Sequence, residues 1–351
     1  MPDYTVTVEP LGTQVTCRDS QTILDACLRE GIWLPHACTH GTCGTCKAMV
    51  LDGEVDLGDA SPYALLDTER DEGAALICVA TPRSDTVIEG EVDVEDGVAV
   101  HPVRDYTGTV ASLEDVTPEV RKLAIALDTP IGFNPGQYVQ LRLPGGDMRP
   151  YSVASPPSDP GHIELHVKRS PGGTASDGWI FKDLAAGDPV QLSGPYGRFS
   201  FRPARDEPIL LLGAGTGLAP LKAIAAHLAE RGDAPPTVLY HGVRTRTDLY
   251  EHEWLTALAA SHDWFTYRPA LSADEWDGRT GRIPALLAQD YYPRAAGHVA
   301  YICGSPDMVD DTMKALMRAR LFPRDIYRED FFDTADRASG RHVVRSPLIR
   351  R

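Results

Sequence analysis

The chain has 351 residues, 42% hydrophobic and 24% charged, the composition of an ordinary soluble globular protein with length for two or three domains. No apolar run reaches the eighteen or more residues of a membrane span, so the expectation is a cytoplasmic protein with no membrane partner. Of the net charge of −16, residues 1–98 carry −14 (19 Asp and Glu against 5 Lys and Arg), which repels nucleic acid and favours a basic protein partner, unless it serves only solubility.

Alternating Tyr4, Val6 and Val8, a Leu11-Gly12 turn and the run Gln14 to Cys17 predict a β-hairpin. Ser20 can cap a helix whose residues Ile23, Leu24, Cys27 and Leu28 share one face, with Gly31 ending it. Next comes Cys38-Thr39-His40-Gly41-Thr42-Cys43-Gly44-Thr45-Cys46, followed later by Cys78 in an apolar run. The pattern C-x4-C-x2-C…C is the spacing that holds a plant-type 2Fe-2S cluster. Small residues let such a loop wrap the cluster with its backbone N–H groups aimed at the sulfurs. A zinc site usually shows two C-x2-C pairs, and here there is one. A disulfide framework is disfavoured because no signal peptide is expected and a chain of this length can bury a core without staples. Cys17 and Cys27, outside the spacing, read as small buried hydrophobes on a strand and a helix. Lys47 to Leu51 predicts a strand closed by Asp52-Gly53, and Val87, Glu89, Glu91, Asp93 and Glu95 a late, charged edge strand.

The aperiodic stretch from Asp93 to Pro102 predicts a linker. Short β-rich segments then recur at Thr107 to Ser112, Val120 to Leu127, Tyr138 to Leu143 and His162 to Lys168, predicting a small antiparallel barrel. After Arg205 strands and helices alternate: Pro208 to Leu212, Pro220 to Glu230 ended by Gly232, Thr237 to Val243, Glu251 to Ala260, His298 to Cys303, Pro306 to Arg318 and Ile326 to Phe332. That order predicts a parallel sheet flanked by helices. Arg337 to Arg351 carries five arginines and predicts a mobile tail.

Gly213, Gly215, Thr216 and Gly217, followed by Pro220, stand between a strand and a helix, where backbone N–H groups and the positive helix end can hold a pyrophosphate. Leu218 occupies the third glycine position of the common G-x-G-x-x-G pattern. Arg149-Pro150-Tyr151-Ser152 alone would be an ordinary turn. Together with Gly172-Gly173-Thr174-Ala175-Ser176, Gly194-Pro195-Tyr196-Gly197 and Cys303-Gly304-Ser305-Pro306-Asp307-Met308, it resembles the ferredoxin-NADP reductase superfamily.

The resemblance implies a β-grasp 2Fe-2S ferredoxin domain over 1–98 with metal ligands Cys38, Cys43, Cys46 and Cys78. It further implies an antiparallel FAD-binding barrel over 103–204, a parallel α/β NAD-binding domain over 205–336 and a tail over 337–351. In class terms this is a multidomain α+β and α/β protein. By the same resemblance Tyr151 packs on the flavin, Ser152 lies near its reactive nitrogen, Arg149 faces the pyrophosphate, and His166 and Lys168 line the flavin. Gly173, Thr174 and Ser176 complete the phosphate cradle and Phe331 belongs to the segment that screens the flavin. Gly213, Gly215, Thr216, Gly217, Pro220, Arg244, Cys303 and Gly304 would bind NAD, with Ser152, Cys303 and Glu329 as catalytic candidates.

The order ferredoxin, flavin barrel, nicotinamide domain resembles the reductase components of bacterial oxygenases, in particular those of phenol hydroxylases. TVTVEP, WLPHACTHGTCGTC, LDGEVDLGDASPYALLDTERDE, LSGPYG and RLFPRDIYREDFFDTAD carry that likeness, whereas His40 stands where photosynthetic ferredoxins commonly have arginine. It implies an enzyme that is a monomer when free and passes electrons from NADH through FAD and the cluster to a diiron hydroxylase. Service to a Rieske dioxygenase or a cytochrome P450 is the alternative, and a redox-sensing regulator the alternative of another class. No acid stands directly at the end of the strand that reaches Val243, and Arg244 could meet a 2′-phosphate, but the resemblance favours NADH over NADPH.

Overall fold

A computed structural model describes residues 2–91 and 97–332. They form two compact units, one built on residues 2–104 and the other on Asp105–Phe331.

The first unit is a five-stranded sheet in the order Thr13–Arg18, Asp3–Glu9, Thr86–Glu89, Lys47–Asp52, Ala74–Leu76. The hairpin forms as expected, with Tyr4 opposite Cys17. The late strand is central rather than an edge, parallel to Asp3–Glu9 and antiparallel to Lys47–Asp52. Thr86 and Ile88 are buried, and the charged alternation lies mostly beyond Glu89, so the paired residues suit an interior strand. Asp93 and Glu95 fall outside the described residues. Helix Ile23–Arg29 presses Ile23, Leu24, Cys27 and Leu28 into the core and ends before Gly31 at φ +76°. Its cap is Thr22, whose Oγ1 accepts from the Asp25 N–H at 3.3 Å. Ser20 stands two residues too early to reach that donor. Cys17 and Cys27 are buried, as read from the sequence.

Directly after the expected linker the chain is docked on the first unit. Val103 is buried and its N–H donates to the Leu28 carbonyl, while Arg104 donates to the Arg29 carbonyl. Residues 92–96 and the arginine-rich tail lie outside the described residues.

In the second unit a six-stranded sheet runs Met148–Ser152, Tyr138–Arg142, Pro189–Tyr196, Arg104–Thr117, Val120–Leu127, His162–Lys168. A bridge from Val153 to Leu165 joins the first strand of that order to the last and closes the barrel over Val110, Leu123, Ile125, Val139, Leu141 and Leu165. The other sheet is parallel throughout, in the order Arg279–Thr280, Phe265–Leu271, Thr237–Val243, Ile209–Ala214, Val299–Gly304, Ile326–Asp330. Its strand Ile209–Ala214 is buried on both faces, with Ile209 and Leu211 in the core on one side and Leu210 and Leu212 in the core on the other. Strand Phe265–Leu271 and helix Ile283–Tyr291 are additions to the elements expected from sequence. Pro269 disguises the strand, and it is tolerated because pairing with Arg279–Thr280 begins only at Ala270.

Candidate functional site

Cys38, Cys43 and Cys46 lie in the loop entering strand Lys47–Asp52, and Cys78 follows strand Ala74–Leu76. These strands pair with Lys47 opposite Leu76, and the Ile77 N–H donates to the Cys46 carbonyl at 3.2 Å, so the ladder returns the fourth cysteine to the loop. The Cys38 sulfur accepts from Cys43 and Cys78, which pulls it well below the ordinary thiol value. Hydrogen bonding to Cys38, for Cys78 also to Cys46, and then burial push Cys43 and Cys78 up. Gly41 and Gly44 take φ of +79° and +76°, and a Cβ on Gly41 would lie 3.1 Å from the Asp59 carbonyl oxygen. The loop is therefore wound too tightly for larger residues there. Thr42 Oγ1 is buried without a hydrogen-bond partner. Four convergent thiols with an unmet hydroxyl beside them fit an iron–sulfur cluster.

Arg149, Tyr151 and Ser152 stand on a strand, where a turn was expected, with Tyr151 opposite Val139. Pro150 is accommodated because only one side of this strand carries a continuous ladder. Ser152 Oγ donates to Glu329 Oε2 at 3.0 Å, and Cys303 Sγ lies 4.0 Å from the same oxygen. The three catalytic candidates thus meet, although 177 positions separate Ser152 from Glu329. Burial raises the Glu329 carboxyl to about 8, against the pull of the Ser152 hydrogen bond and with help from Asp330. Burial, then the Glu329 and Asp330 charges, also pushes the Cys303 thiol up. At neutral pH these three side chains are uncharged.

The remaining flavin candidates are dispersed. Gly173 donates to the Ser170 carbonyl and Ser176 Oγ accepts from the Ser170 N–H, shaping a tight loop that leaves Thr174 exposed. Phe331 is half-buried, and its N–H donates to the Gly304 carbonyl at 2.8 Å. Arg149 pairs with Asp147 at 3.3 Å, and Lys168 lies at the surface 3.8 Å from Glu119. His166 is buried: Nε2 meets Glu164 at 2.9 Å and Nδ1 meets Tyr250 Oη at 3.1 Å, leaving no ring nitrogen for a flavin. Burial pushes the Tyr151 hydroxyl up to about 12, so the ring it offers is neutral.

The nucleotide candidates gather where the parallel sheet reverses its strand order. After Ile209–Ala214 the chain builds toward one edge, and Val299–Gly304 returns on the other side, which opens a crevice at the carboxyl ends of these two strands. Gly213, Gly215, Thr216 and Gly217 line one wall, leading into helix Leu218–Arg231 with Pro220 in its first turn. Cys303 and Gly304 form the other. A Cβ on Gly217 would fall 2.1 Å from the Cys303 carbonyl oxygen, whereas at Gly215, φ +55°, nothing lies within 4 Å. The loop hugs the neighbouring strand and leaves its outer side open, which fits a pyrophosphate approaching backbone N–H groups. Arg244 is exposed, with no side-chain hydrogen bond or ion pair among the described residues. Sequence reasoning missed Lys122, Glu164, Lys222, Tyr250 and Glu251, which surround His166 and carry no motif spacing.

A barrel and a parallel sheet meeting at Ser152, Glu329 and Cys303, in a chain whose other unit brings four cysteines together, define an NAD(P)H-dependent flavin and iron–sulfur oxidoreductase. Family models agree: a 2Fe-2S iron-sulfur cluster binding domain over residues 6–83, an oxidoreductase FAD-binding domain over 107–201 and an oxidoreductase NAD-binding domain over 211–314. The chain is 46% identical over 353 residues to the phenol 2-monooxygenase reductase component DmpP of Pseudomonas sp. (strain CF600), covering 99% of each. It is 42% identical to the aromatic O-demethylase reductase subunit of Amycolatopsis sp., covering 91% of this chain and 96% of that one. Among solved structures the Amycolatopsis cytochrome P450 reductase GcoB matches with a TM-score of 0.87 at 41% identity, covering 93% of this chain and 98% of that one. The chain belongs to the family of reductase components of phenol hydroxylase and related multicomponent oxygenases.

Proposed function

We propose that this reductase delivers electrons from NADH to the diiron hydroxylase of a phenol hydroxylase-type monooxygenase. The observation that carries it is the 46% identity to the phenol 2-monooxygenase reductase, maintained over 99% of both chains. When bound, FAD accepts the two-electron hydride of NADH and the 2Fe-2S cluster takes electrons singly. The chain's own residues supply the rest. Cys38, Cys43, Cys46 and Cys78 hold the cluster, Tyr151 offers a neutral ring to the flavin, and Ser152 fixes the protonated Glu329. The Gly213–Gly217 loop receives the dinucleotide beside Cys303 and Gly304. Domain limits of 1–98, 103–204 and 205–336, a cytoplasmic location and a monomeric free state belong to the same reading.

Service to a cytochrome P450 is a second reading, favoured by the 42% identity to the O-demethylase reductase subunit and the likeness to GcoB. Reconstitution separates them. With NADH, the purified reductase is expected to sustain phenol hydroxylation by a phenol hydroxylase oxygenase at a rate well above that of O-demethylation by a P450. The reverse order of rates would sink the first reading.

A further inference from the structure

Away from the Ser152–Glu329–Cys303 site, the barrel and the parallel sheet are joined by a ring of four charges. Lys122 and Glu164 come from the barrel strands Val120–Leu127 and His162–Lys168. Lys222 comes from helix Leu218–Arg231, and Glu251 from the residue preceding helix His252–Ser261. Each ammonium touches one carboxylate from either side: Lys122 reaches Glu251 at 2.8 Å and Glu164 at 3.5 Å, and Lys222 reaches Glu164 at 2.6 Å and Glu251 at 3.0 Å. Glu164, His166 and Glu251 place their ligating atoms within 4.8 Å of one another, as a metal site would. Two lysines already occupy those carboxylates and balance their charge, so the cluster is a closed ring of ion pairs. Sliding one layer over the other would unpair charges in a largely buried setting, which is strongly unfavourable.

From this ring an arm leads to the glycine loop. His166 Nε2 donates to Glu164, and burial outweighs the carboxylates in keeping the imidazole neutral, so Nδ1 is an acceptor. Tyr250 Oη lies 3.1 Å from that Nδ1 and 3.4 Å from the Gly215 carbonyl oxygen, sharing one proton between the barrel and the loop. The Tyr250 ring stands edge-on to His166 and to His241, the latter also held neutral by burial. Glu251, next to Tyr250, takes φ +57° and forms no side-chain cap for its helix. A left-handed glutamate that ignores its own helix indicates a backbone held in place by the ring.

We propose that Tyr250 is a positioning residue, locked by the Lys122–Glu164–Lys222–Glu251 ring, which fixes the Gly213–Gly217 loop against the flavin barrel through His166 and the Gly215 carbonyl. This rests on the reading that the loop receives the dinucleotide. Hydride transfer needs the reacting atoms about 3–3.5 Å apart, so a loop free to drift would bind the nucleotide more weakly and less productively.

The test uses the full-length holoprotein, oxidised, with NAD+ as the probe. Tyr250→Phe removes only the hydroxyl. The expected result is an NAD+ Kd raised about fivefold, the size of one neutral hydrogen bond, with faster deuterium uptake in peptides covering residues 213–218 and unchanged uptake in the cysteine loop. Parental affinity together with parental uptake would overturn the proposal. Gly217→Ala separates the two layers of inference. If it leaves NAD+ affinity intact, the loop assignment fails, while the uptake change in Tyr250→Phe still decides the latch. Should Tyr250→Phe not fold, Lys122→Met, Glu251→Gln and their combination give the same uptake readout. A combined effect smaller than the product of the two supports a ring, and independent effects refute it.

Discussion

A carboxyl held at about 8 beside Ser152 and Cys303 remains protonated through the neutral range. An exposed glutamate ionises near pH 4.3, roughly its value in the unfolded chain. Between these values the folded state binds the proton that the unfolded state has released, so the contribution of Glu329 to stability falls as pH rises from about 4.3 to about 8. Glu329→Gln is permanently neutral and removes that slope. Thermal unfolding measured from about pH 5 to about pH 9 is therefore expected to show a variant that loses less stability over this range than the parent. A parallel pair of curves would mean that Glu329 is not held neutral in the folded state. An ionised Glu329 would place an unpaired charge between Ser152 Oγ and Cys303 Sγ, where both are buried.

The cluster loop and strand Ala74–Leu76 act as one element, since the Lys47–Leu76 pairing and the Ile77-to-Cys46 hydrogen bond set where Cys78 arrives. The flavin and nucleotide candidates lie in the other compact unit. Replacing Cys43 by Ser is accordingly expected to abolish the cluster's visible absorption while NADH still bleaches the flavin. Loss of both signals in a folded variant would contradict separate modules. This loop was legible in the sequence because the cluster demands a fixed spacing of one residue type. The glycine loop was legible because a tight approach of backbone to backbone, as at Gly217 and Cys303, excludes every larger residue. What the sequence concealed depends on pairing across distance. The Thr86–Glu89 strand looked like an edge because the charges beyond it resemble an edge, and only its two neighbours show it to be central. Arg149 to Ser152 looked like a turn because Pro150 cannot donate to a ladder, and the Lys–Glu ring had no signature because its members come from four separate elements of the chain.

At the scale of the whole molecule the charge asymmetry is the feature with an electron-acceptor partner to explain it. Residues 1–98 carry −14 of the total −16, and they include the cysteine loop. Asp52, Glu54 and Asp59 are exposed and make no ion pair among the described residues, whereas Asp56 is engaged by Arg83 at 2.7 Å. Asp59 lies closest to the loop, with its carbonyl against Gly41, and Tyr63 is 49% exposed on the segment that follows. Such a face is expected to steer a basic surface of the oxygenase toward the cysteine loop. Steering of this kind acts over about 8 Å at physiological ionic strength and about 3 Å at 1 M, so it should largely vanish between them. Flavin reduction by NADH needs no encounter between proteins. Salt is therefore expected to slow oxygenase reduction severalfold while the NADH-to-flavin step, followed by stopped flow without the oxygenase, changes little. The triple variant Asp52→Asn, Glu54→Gln and Asp59→Asn should slow oxygenase reduction at low salt and show a weaker salt dependence than the parent, while flavin reduction by NADH is unchanged. If both the variant and high salt leave oxygenase reduction unchanged where encounter limits the rate, the acidity is a solvated surface and the partner docks elsewhere.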